Sequence, residues 1–155
     1  MSLTIRPYTA ADWPAIQAIH DAARPIELQH ARLDAAFVPL QIAAKREDLF
    51  DDTLLVAEDA RHVVGFVAFT TEELSWLYVD PRQFNAGIGG QLVTAALEAA
   101  PTIQDVEILA GNRPARHLYE KYGFQFRQTE SGHMPGNEQF AVTVDQLTRV
   151  PATAD

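Results

Sequence analysis

Residues 74–100 contain the feature that most limits how this chain can fold: an apolar strand, a glycine-rich turn and a helix in direct succession. Positions 74–79 are apolar except for Ser75, Asp80-Pro81 ends the run, and apolar residues at helical spacing begin at Ile88. Pro101 then ends the helix. A strand that enters a helix through glycines leaves the N–H groups of the first helical turn accessible to an anion. The segment therefore predicts a phosphate-binding turn.

The turn reads Asn85-Ala86-Gly87-Ile88-Gly89-Gly90, which does not match the two common nucleotide-binding patterns. A dinucleotide fingerprint starting at Gly87 requires a third glycine where the chain has Leu92. A P-loop requires lysine and a hydroxyl residue after its last glycine, where the chain has Gln91 and Leu92. The alternative to phosphate binding is a tight turn in which the glycines serve conformation alone.

The rest of the chain alternates between strand and helix patterns. Helices are predicted from Asp12 to Pro25, in part of the mixed segment 26–48, which Pro39 interrupts, and after Asn112, with Gly123 just past the last helix. Further strands are predicted at residues 3–6, 53–58, 63–70, 106–109, 124–127 and 140–147. This order predicts an α/β (α+β) domain with a mixed sheet, spanning residues 1–155, with a flexible tail at 149–155.

Charge and cysteine content exclude several classes of function. Twelve Lys and Arg against 21 Asp and Glu give a net charge of −9, which disfavours a nucleic-acid partner and favours a cationic ligand. Cysteine is absent, which removes disulfides, thiolate zinc sites and a cysteine nucleophile. The histidines lack metal-ligand spacing, so no metal is expected. No export signal or apolar stretch of membrane-spanning length is found, so we expect a cytoplasmic protein with no membrane partner.

Two motifs together resemble the GNAT superfamily of acyl-CoA-dependent N-acyltransferases. The family pattern Val-x-Pro, then Arg/Gln-Gly-x-Gly-x-Gly/Ala, is similar to Val79-Asp80-Pro81 and the stretch from Phe84 to Gly89. A second family pattern, Asn-x-x-Ala-x-x-x-Tyr-x-x-x-Gly-Phe, is met at every position, by Asn112, Ala115, Tyr119, Gly123 and Phe124. Phe84 and Asn85 depart from the first pattern, because they replace a cation or amide and a glycine. The resemblance extends over residues 3–147.

The resemblance implies a sheet of about six to seven strands, with helices on both faces, a splayed pair of central strands, and acetyl-CoA as cosubstrate without a metal. It implies cofactor-binding roles for the following residues: Leu77, Tyr78, Val79, Gly87, Ile88, Gly89, Gly90, Asn112 and Ala115. Asn112 also fits an ordinary helix cap. The charge absent at Phe84 could be supplied by Arg82, Arg113 or Arg116, each of which otherwise fits a solvated surface residue.

The resemblance also implies catalytic roles. Tyr119 is the implied general acid, which would protonate the departing thiolate, although its place on an apolar helix face also fits plain core packing. Glu73 is preferred as the general base over Glu72, and at most one of them can point into the site, because successive residues of a strand face opposite sides. Glu107 in the next strand is the reserve candidate, acting through water. A solvated charge at each position is the alternative, and some members of the family need no dedicated base.

The function expected from the resemblance is acetyl transfer from acetyl-CoA to a primary amine of a small molecule or peptide. Without cysteine, the amine would attack directly in a ternary complex. Segments 22–37 and 131–137 are expected to form the acceptor pocket, and a homodimer is left open. The alternative is a non-catalytic acyl-CoA-binding sensor or interaction module of the same fold. A dinucleotide-binding oxidoreductase is disfavoured by Leu92.

Overall fold

The computed structural model describes residues 3–84 and 86–151. These ranges form seven strands and four α-helices joined by short 3-10 turns. In chain order the elements are β1 Leu3–Pro7, α1 Trp13–His30, α2 Leu40–Arg46, β2 Thr53–Asp59, β3 His62–Phe69, β4 Glu73–Val79, α3 Ile88–Ala99, β5 Asp105–Leu109, α4 Arg113–Glu120, β6 Gln125–Met134 and β7 Asn137–Thr148.

All seven strands belong to one sheet with the order β1-β2-β3-β4-β5-β7-β6. Neighbouring strands are antiparallel except β4 and β5, which are parallel and are joined by the crossover helix α3. The parallel pair is short, because only Glu73 with Asp105 and Leu74 with Val106 are in register. This confirms the predicted mixed sheet, and the splay lies between β4 and β5.

Helices cover both faces of the sheet, as predicted. On one face α1 and α2 bury Ile16 and Leu40 against strand residues that include Phe66. On the other face α3 buries Leu92 and Ala96 in a second cluster. This cluster also contains Tyr119 of α4 and Phe124 just after that helix. Within the described part of the chain, no helix is both long and apolar enough to cross a membrane.

A β-bulge in β4 decides which side chains reach each face. Phe69 pairs with Leu74 and Ala68 pairs with Trp76, so Ser75 is an extra residue on β4. As a result Leu74 packs in the cluster under α3, while Trp76 packs in the cluster under α1 and α2. Strict alternation would have put both residues on the same face.

Helix α1 continues past Pro25 to His30, so the predicted helix end at Pro25 is wrong. A proline inside a helix loses one backbone hydrogen bond and crowds the preceding turn. Here the turn beyond it is held by tertiary contacts, because Leu28 is completely buried and Glu27 pairs with Arg24 across the proline. Packing therefore outweighs the local cost of the proline.

Residues 131–137, which lie between the predicted strands 124–127 and 140–147, are mostly strand, which is a second correction. Strand β6 runs to Met134, β7 begins at Asn137, and only Pro135-Gly136 connect them, with Gly136 at φ 72°. Strand β6 is the edge of the sheet, and all its residues except Met134 are exposed. Its sequence therefore lacks the apolar alternation that marks a half-buried strand.

Other local signals are confirmed. The β2–β3 hairpin turns at Ala60 and Arg61, which both have positive φ, as hairpin turns of this length require. Gly123 has φ 90° just past α4. Arg149, the first residue of the predicted tail, donates from its backbone N–H to the Gln104 carbonyl, while residues 152–155 lie outside the described residues. The flexibility of the tail stays a prediction.

Candidate active site

The splay between β4 and β5 opens a cavity of about 250 Å³. Its walls come from α1, the end of α2, both splayed strands, α4 and the β6–β7 turn. The lining includes His20, Arg24, Glu27, Glu47, Ser75, Trp76, Leu77, Tyr78, Glu107, Leu109, Ala115, Leu118, Tyr119, Met134, Gly136 and Asn137. The cavity thus brings together three of the residues predicted on the cofactor side, Leu77, Tyr78 and Ala115, with both segments predicted for the acceptor side.

Beyond Leu74, the edge of β4 that faces β5 has no strand partner among the residues that the structure describes. The N–H of Asp80 donates to the Val64 carbonyl of β3 at 2.8 Å. Successive residues of a strand direct their peptide groups to opposite edges. Tyr78, two residues before Asp80, therefore also directs its peptide groups to β3. The N–H and C=O groups of Leu77 and Val79 therefore face the gap, beyond the last residue that pairs with β5. These groups can bind an extended ligand as an added strand would.

Helix α3 starts at the predicted glycine turn. Gly87 is its N-cap residue and has φ 79°, a left-handed conformation that favours glycine. The N–H of Gln91 donates to the Gly87 carbonyl at 3.2 Å. The N–H groups of Ile88, Gly89 and Gly90 precede this bond, so they have no partner within the helix and can bind an anion. Asn85, a predicted departure from the family pattern, lies outside the described residues.

Gly90 has a packing role that its place in the turn did not reveal. The Tyr122 hydroxyl donates to the Gly90 carbonyl at 2.8 Å, and a Cβ on Gly90 would lie 2.9 Å from that hydroxyl oxygen. Gly90 therefore allows the segment after α4 to approach α3. Its N–H group remains part of the first helical turn.

The predicted arginines lie outside the cavity lining. Arg82 is on the surface beside the glycine turn, and its side chain is held by Asp80 at 2.9 Å, which lowers the pKa of that carboxyl. The Arg116 guanidinium lies over the Phe126 ring at 4.9 Å and pairs with Glu120 at 3.9 Å. Arg113 is exposed at the start of α4. A phosphate-binding role for any of the three stays a prediction.

Tyr119 is buried on α4 and lines the cavity. Its ring packs edge-on against Phe124 at 5.7 Å between centroids, so Tyr119 contributes to core packing. Within the described ranges its hydroxyl makes no hydrogen bond. Burial, more than the charge of Glu27, raises the pKa of Tyr119, so the phenol is protonated at neutral pH. It can therefore donate a proton into the cavity.

Asn112 caps α4, as predicted. Its side-chain oxygen accepts from the Ala115 N–H at 3.2 Å. The cap places the first turn of α4 beside the splay, where Ala115 lines the cavity. A second role of Asn112 toward the cofactor stays a prediction.

The predicted bases differ in their relation to the cavity. Glu107 lines it and accepts from the Gln146 amide at 3.0 Å. Glu73 is exposed at the start of β4 and is not part of the lining, although desolvation and the charge of Glu107 raise its pKa. Glu72 is also exposed, in the turn before β4. The role of Glu73 as a base stays a prediction.

Sequence reasoning missed a polar cluster on α1. Arg24 donates to Glu27, and the Tyr78 hydroxyl donates to the same carboxylate at 3.2 Å. Together with His20 these residues line the cavity. Glu27 was missed because the helix was predicted to end at Pro25, so it was not placed on the same helical face as His20 and Arg24. Their signal is the spacing of His20, Arg24 and Glu27, which places three polar residues on one helical face.

Within residues 3–84 and 86–151, no group of three or more His, Asp or Glu side chains is arranged to hold a metal ion. His20 is buried in the cavity wall, whereas His117 is exposed on α4. The expected absence of a metal stays a prediction.

Comparisons with known proteins agree with this geometry. A family model described as an acetyltransferase (GNAT) domain matches residues 50–126. The peptidyl-lysine N-acetyltransferase YjaB of Salmonella typhimurium is 31% identical over 108 residues, which cover 66% of this chain and 70% of that protein. These matches confirm the resemblance seen in the two sequence motifs.

Solved structures share the fold over nearly the whole chain. The apo-form of YjaB from Escherichia coli has a TM-score of 0.68 at 23% identity and covers 98% of this chain and 100% of its own. The PaiA N-acetyltransferase of Thermoplasma acidophilum, solved in complex with coenzyme A, has a TM-score of 0.68 at 16% identity, with coverage of 96% and 99%. The splayed sheet, the glycine turn and these relatives lead to one conclusion: the chain belongs to the GNAT superfamily of N-acetyltransferases.

Proposed function

We propose that this protein transfers the acetyl group of acetyl-CoA to a primary amine of a small molecule or peptide. The proposal is carried by three features that occur together: the N–H groups of the first turn of α3, the open edge of β4, and the cavity that Tyr119 lines. Acetyl-CoA, when bound, supplies an activated acetyl thioester. These three parts of the site match, in that order, a diphosphate, an extended amide-containing arm and a small acyl group.

The cofactor side of the site is built from backbone groups. The N–H groups of Ile88, Gly89 and Gly90 would bind the diphosphate at the positive end of the α3 dipole. The peptide groups of Leu77 and Val79 would bind the amides of the extended arm, as a strand partner would. Ala115, next to Asn112, would wall the other side of the arm. Because these donors belong to fixed elements, little ordering is needed on binding.

The chemistry follows from the side chains around the end of the arm. The acceptor amine, in its neutral form, would attack the acetyl carbon directly, because the chain has no cysteine to carry the acetyl group. Tyr119 would donate its proton to the sulfur as the carbon–sulfur bond breaks. The raised pKa of Tyr119 keeps that proton in place until the thiolate forms.

The acceptor side carries several acidic groups. Glu27, Glu47 and Glu107 line the cavity, against Arg24 as the one arginine or lysine of its lining among the described residues. A cationic acceptor is therefore favoured over an anionic one. The relative YjaB is named a peptidyl-lysine N-acetyltransferase, and a lysine side chain is a primary amine of this kind.

A thiol-release assay with a library of amines tests the proposal. The library should contain lysine peptides, peptides with a free N-terminus, small diamines and neutral amines, each with acetyl-CoA as donor. Calorimetric titration with acetyl-CoA, and with NAD as a control ligand, shows whether the predicted cofactor binds. Binding of acetyl-CoA without thiol release from any amine would instead support the non-catalytic sensor.

A further inference from the structure

His20 and Asp21 form a hydrogen-bonded pair in the wall of the cavity. The Nδ1 atom of His20 lies 2.9 Å from Asp21 Oδ1. The same carboxylate oxygen accepts the backbone N–H of Leu40 at 2.9 Å, which anchors Asp21 to the start of α2. Because a carboxylate can only accept, Nδ1 carries the hydrogen of a neutral imidazole. The lone pair of His20 is therefore on Nε2.

The second ring nitrogen of His20, Nε2, belongs to a residue of the cavity wall. Although His20 is only 2% exposed, it lines the cavity, and its Nε2 makes no hydrogen bond within the described residues. Among the side-chain nitrogen and oxygen atoms of the described residues that are shielded from solvent, Arg149 Nε is the one without a hydrogen-bond partner. Because the Nε2 atom of His20 has no partner and is not such a shielded atom, it retains some accessible surface, in a residue that lines the cavity.

The surroundings hold the ring in one orientation and keep it neutral. Tyr78 contacts it edge-on at 4.9 Å between centroids, and Trp76 and Phe37 lie at 6.0 Å and 6.3 Å. Burial lowers the pKa of His20, and the positive charge of Arg24 acts in the same direction, while Asp21 and Glu27 act against them.

The packed elements add few other polar groups. Strand β4 presents the Tyr78 hydroxyl, which is bonded to Glu27, and α2 presents the Leu40 N–H, which is bonded to Asp21. The segment before α2 presents Phe37, which carries no charge. A neutral imidazole with a fixed tautomer is the result.

We propose that His20, held by Asp21, is the general base of the reaction and receives at Nε2 the proton that the acceptor nitrogen loses. The inference rests on the proposed function. The nitrogen of a neutral primary amine forms a bond to the acetyl carbon, the carbon–sulfur bond breaks, and Tyr119 protonates the sulfur. His20 takes one proton from the nitrogen, which leaves a neutral amide. The imidazolium and the phenolate then neutralise each other through water, so the site is restored.

Other cavity groups are less suited to this role. One oxygen of the Glu27 carboxylate, Oε1, already accepts hydrogen bonds from Arg24 and from the Tyr78 hydroxyl, so it is engaged by two donors. Glu107 is engaged by the Gln146 amide, and Glu73 is outside the lining. His20 has an accessible lone pair, a fixed tautomer and a partner that stabilises its charged form.

Mutation of His20, with the pH profile as readout, tests the proposal. Variant His20→Gln should lower kcat/KM by about 100-fold, which is typical of removing a general base. In the wild type, kcat/KM should fall with decreasing pH as His20 becomes protonated, at a pH below the ordinary histidine pKa of 6.5, and this acidic limb should be absent from the variant. His117→Gln, the same change at an exposed site, should leave both unchanged. Retention of the limb and of near-wild-type kcat/KM by His20→Gln would overturn the proposal.

Nitrogen NMR of the wild-type protein gives a readout that needs no variant. The His20 ring should show a protonated Nδ1 and an unprotonated Nε2 at neutral pH, and the Nε2 resonance should shift on addition of a turned-over amine. An Nε2-protonated tautomer would overturn the proposal even if His20→Gln fails to fold. If the wild type acetylates amines but His20 fails these tests, the base role of His20 is wrong and the proposed function stands. If the wild type acetylates no amine, the proposed function itself is wrong.

Discussion

Leu74 and Val106 form the last register pair between β4 and β5. Beyond this pair the two strands separate, and the peptide groups of β4 face a gap. The extra residue Ser75 follows directly, and it turns Trp76 toward α1. The site therefore begins where regular pairing ends, because an unpaired strand edge can bind a ligand that a completed sheet would exclude.

Removing the Tyr119 hydroxyl should reduce turnover with little change in fold. Tyr119→Phe keeps the ring that packs on Phe124 and removes the proton, so kcat should fall by about 100-fold. The matched control is Tyr8→Phe, because Tyr8 packs against Phe50 away from the cavity. Thiol release at saturating acetyl-CoA measures the effect. Wild-type turnover by Tyr119→Phe would rule out the acid role.

A side chain at Gly87 should weaken acetyl-CoA binding. Gly87 has φ 79°, and a residue with a Cβ adopts this left-handed conformation at a free-energy cost of about 1–2 kcal/mol. Gly87→Ala should therefore either lower the stability of the protein or reorient the first turn of α3. Gly132→Ala is the control, since a Cβ there meets no atom within 4 Å and needs no positive φ. Calorimetric titration with acetyl-CoA should show weaker binding for the first variant alone. Equal affinity for both variants would contradict a diphosphate site at this turn.

Neutralising Glu27 should discriminate between charged and neutral acceptors. Glu27→Gln removes a negative charge from the cavity wall and leaves Arg24 without its partner, so KM for cationic amines should rise roughly tenfold, equivalent to about 1.4 kcal/mol. Neutral amines should be affected less. Glu120→Gln, at a partly exposed position on α4 outside the cavity, controls for net charge. The same KM change for both amine classes would argue against charge selection at Glu27.

The Arg6–Asp12 pair should make stability depend on pH. Asp12 is buried and bonded to Arg6 at 2.8 Å, which lowers the pKa of Asp12 from 3.8 to about 2. A lowered pKa stabilises the fold above pH 3.8, and this contribution is lost as the pH falls toward 2. Because Arg6 is one-third exposed, Asp12→Asn should cost about 1–2 kcal/mol at pH 7.

Urea unfolding of Asp12→Asn and wild type at pH 7 and near pH 2 checks this prediction. The difference in unfolding free energy should shrink at the lower pH, while the exposed control Asp34→Asn should show little difference at either pH. A difference that is constant with pH would mean that shape, not charge, explains the cost.

Much of the fold could be predicted because it depends on local patterns. The mixed sheet, the glycine start of α3 and the Asn112 cap follow from apolar spacing and from backbone groups that need a partner within a few residues. The end of α1 was predicted wrongly, because burial of Leu28 outweighs the cost of Pro25 and no local signal reports it. Strand β6 was underestimated, because an edge strand exposed on both faces has no apolar alternation.

The sequence by itself determined the family, the mixed sheet and the positions of the glycine turn and Tyr119, since each of these is carried by residues close together in the chain. Only the tertiary structure decided which polar groups meet in the cavity. His20 and Glu27 come from α1, Tyr78 from β4 and Glu107 from β5, and they share one cavity because β4 and β5 separate after Leu74. Spacing within one element can place polar residues on one face, but it does not specify which residues of other elements that face meets, because this depends on how whole elements pack.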